Sequence, residues 1–432
     1  MNLTTRAILL GCAVLLLGAA GLWVGGAFER IWAALALVWL LAVLVEGRWA
    51  RQVPIDAQWT LPAKPALGQP HAVRIELVHG GPRALLLDVL LPVPAGALGH
   101  AEVRRVALPA GGEVRALEER FTPVALGALA GTPASGRLLG RFGLAWWTRA
   151  LPAPAEPMQV APDTLHADER EAPGGMRGEE ALLRRGHGLE LLGLREYRPG
   201  DPMRALAWKA SARAANLMVR DTLVDQHLEV ALVIDVGRTS AIQAGALSRL
   251  HHFVNLAARF GERCVAFGDR LNLVAFAGGI ALSLTGLQGG SGLRRLRAAL
   301  ARLRTDPVES SPVTAALEVR RLLRHRGLVV WLGDVDTADA GALAAVAGVL
   351  SPQHLALFAQ VQDPEVLAEL TRPAQAWLDP YAALAAQQLV QQQALAARRL
   401  SRLGCEVVAA PPALLERQLL DQYRRLRARR RV

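Results

Sequence analysis

Two aspartates stand where an open α/β sheet would bind a ligand. Asp235 closes an apolar run, Leu228–Ile234, and Asp334 follows a second one, Leu328–Leu332. If both runs are central parallel strands, the two carboxylates share one sheet edge. Ligands of open α/β sheets sit at the carboxyl ends of the strands. Carboxylates in such places also cap helices and shape loops without binding anything, so both readings stand. A second cluster lies upstream, in Gly188–Arg220. There Pro199-Gly200 reads as a turn, Asp201 as a helix N-cap and Pro202 as the first helical residue, with the helix running to about Ala212. Helical spacing puts Arg204, Trp208 and Ser211 on one face and Lys209 and Arg213 on another. Glu190, Glu196 and Asp201 supply nearby opposite charge, and Tyr197 lies among them. These charges can lock the segment in place as an internal network, at a cost in desolvation. Alternatively, Arg195, Arg198, Arg204 and Arg213 can engage acidic groups of a partner bidentately.

The elements that must position these residues divide the chain. From about residue 227 apolar strands alternate with helical stretches. Leu271–Phe276 and Ile280–Leu284 flank Gly278-Gly279, a hairpin signal. His354–Val361 and Cys405–Ala410 are further strands, and residues of about 242–267, 291–304, 313–325, 380–403 and 412–429 read as helices. Strands apolar on both faces that alternate with helices imply an α/β fold with an open parallel sheet covered on both sides. Residues 52–160 lack helical periodicity. In Val73-Arg74-Ile75-Glu76-Leu77 apolar and charged side chains alternate, and turn signals recur at Gly80-Gly81-Pro82 and Pro109-Ala110-Gly111-Gly112. That pattern predicts a small β-sandwich. The expected organisation is a helical hairpin over 1–51, a sandwich over 52–160, a linker with the charged segment over 161–226, and the α/β domain over 227–432.

At the N-terminus, Ala7–Phe28 is free of charge until Glu29-Arg30, and Ile31–Val45 follows. The first run spans a hydrocarbon core of about 30 Å. The second is short, with Trp32, Trp39, Arg48 and Arg51 placed to snorkel. A two-pass anchor is expected, with a cleaved signal peptide plus one helix as the competing reading. Arg6 precedes the pair and Arg48 and Arg51 follow it, so the positive-inside rule places both ends and the soluble bulk in the cytoplasm, at the inner membrane.

The net charge is +11, and Lys64 and Lys209 are the only lysines. With an anchor, this balance favours an anionic lipid surface as partner over nucleic acid. No nucleic-acid motif appears, and aromatics do not interleave the arginine run from Arg424 to Arg431. Cys12, Cys264 and Cys405 are far apart and suggest neither a metal site nor a disulfide framework. There is no phosphate-binding Gly-rich loop, His-Glu-x-x-His or Gly-x-Ser-x-Gly elbow. His251 and His252 read as packing or surface residues. No activated nucleophile stands out, and no enzymatic activity is expected.

Asp235-Val236-Gly237-Arg238-Thr239-Ser240 resembles the Asp-x-Ser-x-Ser loop of the von Willebrand factor A family. Its metal-ion-dependent adhesion site adds a Thr from a later loop and an Asp after a later strand. The resemblance implies an oxygen-lined Mg²⁺ site with Asp235, Thr239, Ser291 in the Thr position and Asp334. Gly237 brings no hydroxyl. The segment Leu194–Arg213 closely resembles the signature of the DUF58 family, although Ala207 stands where that family has Asp. Arg195, Glu196, Tyr197, Arg198, Gly200, Asp201, Arg204, Trp208, Lys209 and Arg213 carry this likeness. It implies a membrane-anchored protein with a von Willebrand A-like domain, in an adaptor or assembly role beside AAA+ ATPases of the MoxR group. The alternative is a metal-dependent ligand-binding module acting without an ATPase.

Overall fold

The structure is a computed structural model. It describes residues 2–24, 27–165, 185–186, 190–199, 201, 203–214, 216–223, 228–334 and 340–429. The chain forms two compact units, Met1–Pro162 and Asp163–Val432.

The first unit opens with helices Thr5–Val24 and Ala27–Gln52. They lie side by side: Trp32 Nε1 donates to the Val14 carbonyl at 2.7 Å, and Trp39 packs against Gly11. Glu29-Arg30, expected to separate the helices, lies inside the second one, which also continues past Val45 to Gln52. The extra turns form because their side chains find partners. Glu46 is fully buried and accepts from the Phe142 and Leu144 amides at 3.0 and 3.2 Å. Gly47 lies under the Trp147 ring, and Ala50 enters the core. Among the described residues one helix, Arg30–Gln52, is long and apolar enough to cross a membrane, and Thr5–Gly21 is a shorter apolar helix.

Two antiparallel sheets follow. One runs Asn2–Leu3, Ala145–Ala150, Ser135–Leu139, Leu85–Leu90, Val103–Leu108 in space, and the other Asp56–Thr60, His71–Val78, Val114–Pro123, Ala97–Gly99. Val73, Ile75 and Leu77 point inward, as their alternation predicts. Ile75 and Leu77 meet Leu87, Leu108 and Leu138 of the other sheet in one apolar core.

In the second unit, a six-stranded sheet has the spatial order Ile280–Leu287, Arg270–Phe276, Glu229–Asp235, Leu328–Leu332, Leu355–Val361, Glu406–Ala410. Only Ile280–Leu287 is antiparallel to its neighbour. The order of the strands is thus 3-2-1-4-5-6, which reverses direction between the strands that end near Asp235 and Asp334. Helices Pro312–Leu322, Ala340–Leu350 and Asp379–Arg402 share a core with Ala231, Val233, Trp331 and Phe358 of the sheet. Helices Arg249–Ala266 and Pro412–Arg429 contribute nothing to that cluster and pack together through Phe260 and Tyr423.

The helix expected from 242 begins at Arg249. Residues Gln243–Ala244 and Leu247–Ser248 pair as a tiny ladder, and Ser248 caps the helix by accepting from the His251 amide. At the other end of the chain, Asp269 holds the last helix down. Its carboxylate accepts from the Leu228 amide at 2.9 Å, from the Tyr423 hydroxyl, and from Arg427 at 3.1 Å. Arg427 therefore points inward, over the Phe267 ring, rather than fraying into solvent with Arg424 and Arg425. Arg430 and Arg431 lie outside the described residues. All three cysteines are free thiols, with Cys264 and Cys405 buried.

Candidate functional site

The strands ending near Asp235 and Asp334 are adjacent and parallel, with Ile234 opposite Leu332. Their carboxyl ends therefore form the crevice where the strand order reverses, the usual ligand position in such sheets. Asp235 is buried, and one of its oxygens, Oδ1, accepts from the Gly237 amide at 2.8 Å and from the Ser310 hydroxyl at 2.5 Å. Burial pushes its pKa up, while the Ser310 and Gly237 bonds oppose that shift. The loop carrying Ser310 is fastened to the Asp235 loop: the Asp306 amide donates to the Val236 carbonyl, and the Arg238 amide to the Val308 carbonyl. Gly237 is needed for this closeness, because a Cβ there would collide with Ser310 Oγ. The hydroxyl that meets Asp235 thus comes from Ser310, on a different loop.

Asp334 has another partner. Arg249, the first residue of its helix, donates to Asp334 Oδ2, and each side chain is 11% exposed. Asp334 Oδ1 is buried with no hydrogen-bond partner among the described residues. Thr239 is half-buried in the short turn Arg238–Ala241. Ser291 does not reach this edge. The Ile280–Leu287 strand runs antiparallel, with Leu287 opposite Leu271 at the far end of the sheet, and Ser291 is exposed in the helix that starts there. Ser310 and Arg249 are the residues that sequence reasoning missed. Gly278-Gly279 was a usable signal for the first, since a hairpin turns the chain away from the Asp235 edge. Nothing near Arg249 in the sequence marks it.

These residues do not fit a divalent ion as they stand. Asp334 is engaged by a guanidinium, and Asp235 Oδ1 already accepts two donors. Among the described residues no group of three or more His, Cys, Asp or Glu side chains is placed to hold a metal. His251 and His252 serve the helix start: His251 Nδ1 meets Ser248 Oγ at 3.0 Å, and His252 Nε2 meets the Ala244 carbonyl at 2.8 Å. Burial lowers the His251 pKa to about 4, so it is neutral at pH 7.

The charged segment folds as an antiparallel pair, Glu190–Glu196 with Met218–Leu223. The helix expected over 201–212 is broken. Met203–Ala205 is a 3₁₀ turn, and the α-helix is Trp208–Ala214. Between them the backbone belongs to the sheet edge: Leu206 bridges to Val219, and the Ala207 amide donates to the Met218 carbonyl. With its amide committed to Met218, Ala207 does not donate back along the chain, so the 3₁₀ turn closed by the Leu206 amide on the Met203 carbonyl does not run on into the α-helix, which starts on the Ala207 carbonyl. Ser211 Oγ fastens the helix by accepting from the Met218 amide at 2.8 Å and donating to the Ala207 carbonyl at 3.1 Å.

Arg195 grips Asp201 with two bonds of 2.6 Å, and the Arg198 amide adds a third at 2.8 Å. The Arg195 bond, then the Arg198 amide, lower the Asp201 pKa from 3.8 to about 2. Asp201 therefore ties the turn back to Arg195 rather than capping a helix. Leu206, Ala207 and Val219 are buried, whereas Trp208 is 63% exposed and Met203 65%. Arg198, Lys209 and Arg213 are exposed, Tyr197 is half-buried, and the exposed Glu196 accepts from Asn216 at 3.3 Å. Gly200, Pro202 and the side chain of Arg204 lie outside the described residues.

Residues 193–373 match the family model described as protein of unknown function DUF58. That range takes in both the Arg195–Asp201 fork and the Asp235–Asp334 edge. Uncharacterized proteins of Mycobacterium bovis and Mycobacterium tuberculosis are 28% identical over 166 residues, covering 37% of this chain. The chain spans about half the length, 51%, of these curated relatives. Among solved structures, the CARDB domain of a Pyrococcus furiosus protein in complex with di-metal ions is 11% identical. It covers 25% of this chain and 93% of its own, with a TM-score of 0.19. A β-glucosidase from Listeria innocua in complex with gluconolactone is 13% identical over 25% of this chain and 16% of its own, with a TM-score of 0.12. TM-scores this low carry no argument about fold or activity.

Proposed function

We propose that the chain is a membrane-tethered interaction or assembly factor without catalytic activity, working with an AAA+ ATPase of the MoxR group. The likeness to DUF58 implies the ATPase. The observation that carries the interaction reading is that Trp208 and Met203 are both exposed, on the two short helical turns that follow the Arg195–Asp201 fork in the chain. An indole left in water is the kind of anchor that protein interfaces use. The strand order 3-2-1-4-5-6 with its antiparallel edge supports a von Willebrand A-like reading of the sheet.

The tether is a two-pass anchor made of Thr5–Val24 and Ala27–Gln52. Its two ends meet the same sheet: Asn2 pairs with Trp146, and Glu46 takes the amides of Phe142 and Leu144. That shared contact supports a topology with both ends on one side of the bilayer. Arg6, Arg48 and Arg51 at those ends favour the cytoplasmic side of the inner membrane. In this reading the sheet edge acts without a divalent ion, because Arg249 supplies the positive charge beside Asp334. A pull-down from solubilised membranes tests the proposal: Trp208→Ala reduces recovery of the ATPase. Equal recovery with Trp208→Ala and Arg213→Ala removes the docking surface from consideration.

A further inference from the structure

A cavity of about 370 Å³ opens within the first unit, where the second helix meets the sandwich. That volume is in the range of small-molecule sites, ~300–1,000 Å³. Its walls include Trp49 and Gln52 from the last turns of the helix, His79 beneath, and Arg83 and Arg141 from two sandwich loops. No carboxylate lines it. Arg83 and Arg141 are exposed and make no ion pair among the described residues; Arg141 only stacks over Phe142, at 6.0 Å. Two unneutralised guanidiniums around a carboxylate-free hollow define an anion site, and guanidinium forks suit phosphate oxygens.

Its position says which phosphate. The Arg141 loop is fixed to the helix end, since the next amide, Phe142 N–H, donates to Glu46 at 3.0 Å. Phe142 itself is 55% exposed, and Arg48 and Arg51 stand exposed on the same end of the helix. An exposed Phe, a half-buried Trp49, two arginines on the end of an apolar helix and two on the loops that share the cavity with it have the composition of an interfacial belt, where headgroups lie. We propose that this cavity binds the phosphate of one anionic phospholipid headgroup, seated between Arg83 and Arg141. The proposal rests on the membrane tether described above. It goes further by assigning a specific lipid site to the sandwich.

The test uses the full chain in dodecyl maltoside micelles, titrated with short-chain phosphatidylglycerol, phosphatidylcholine or inorganic phosphate and read by native mass spectrometry. One phosphatidylglycerol binds in preference to phosphatidylcholine, and Arg83→Gln/Arg141→Gln weakens it by about thirtyfold. Both arginines are exposed, so the double variant keeps the wild-type circular dichroism spectrum. Equal binding of the two lipids, or unchanged affinity in the variant, overturns the proposal. Saturable inorganic phosphate that displaces the lipid also overturns it, in favour of a soluble phosphate site. Membrane fractionation reads the tether separately. A wild-type chain found outside the membrane fraction defeats the tether, while a membrane-bound chain without lipid preference defeats only the site.

Discussion

Arg249 and Asp334 form an ion pair across the carboxyl edge of the sheet, although 85 residues separate them and each is only 11% exposed. The pair joins the start of the helix that follows one strand to the end of the next strand in the sheet. Removing one member leaves a buried charge without its partner, which costs about 3–5 kcal/mol. Arg249→Met should therefore destabilise the chain by about that much in urea unfolding, and Arg249→Met/Asp334→Leu should recover part of the loss. A single variant within about 0.5 kcal/mol of wild type contradicts the buried pair.

The same pair bears on metal binding. Titration calorimetry of the full chain with millimolar Mg²⁺ should show no saturable heat. Heat that disappears in Asp235→Ala and Asp334→Ala supports instead a metal-dependent ligand module, and the arginine could then not be the resident cation.

Gly237 and Ser310 make a second coupled pair. Gly237→Ser drives a side chain into Ser310 Oγ and should cost about 1–3 kcal/mol by overpacking. Ser310→Ala leaves Asp235 Oδ1 with one donor and should cost about 1–3 kcal/mol. The double variant should be more stable than the sum of the two losses predicts. Strict additivity in a double-mutant cycle would falsify the direct contact.

Trp208 should behave differently. Its exposed ring carries little of the fold, so Trp208→Ala should change stability by less than about 0.5 kcal/mol. Ser211→Ala, which loses the bond that fixes the helix to Met218, should cost about 1 kcal/mol. A large thermal shift in Trp208→Ala would show the ring to be structural.

The Arg195–Asp201 fork predicts a pH dependence with a definite sign. The folded pKa of Asp201, about 2, lies below its ordinary value of 3.8. The folded state therefore holds the ionised form more firmly than the unfolded state does. That contribution is fully present above about pH 4 and is lost as the pH falls toward 2. Carboxyl NMR of the chain should place the Asp201 titration near pH 2, and Arg195→Gln should move it up toward 3.8. An Asp201 midpoint near 4 in the wild type denies the fork.

Much of the sheet was legible. Leu228–Ile234 and Leu328–Leu332 are short runs apolar on both faces, which suits strands covered on both sides, and on that reading Asp235 and Asp334 share an edge. The alternation around Ile75 likewise predicted a sandwich strand. What could not be read were choices made in space. Arg249 is one arginine among many until the fold sets it against Asp334. Glu46 argues against a longer helix until two sandwich amides receive it. At 206 and 207 the local sequence favours helix, but a sheet edge supplies hydrogen-bond partners first. Ser291 was misplaced for a different reason: it was matched by chain order, while the hairpin at Gly278-Gly279 had already turned the strand around.

The contact between Gly237 and Ser310 also constrains how this site can change over generations. A serine cannot enter position 237 without strain while Ser310 stays, because the two side chains claim the same space. If Ser310 shrinks first, the buried Asp235 is left with a single donor in the interval. Every one-step path between the two arrangements passes through a weaker protein. The contact thus works as a ratchet, which holds the edge in its present form.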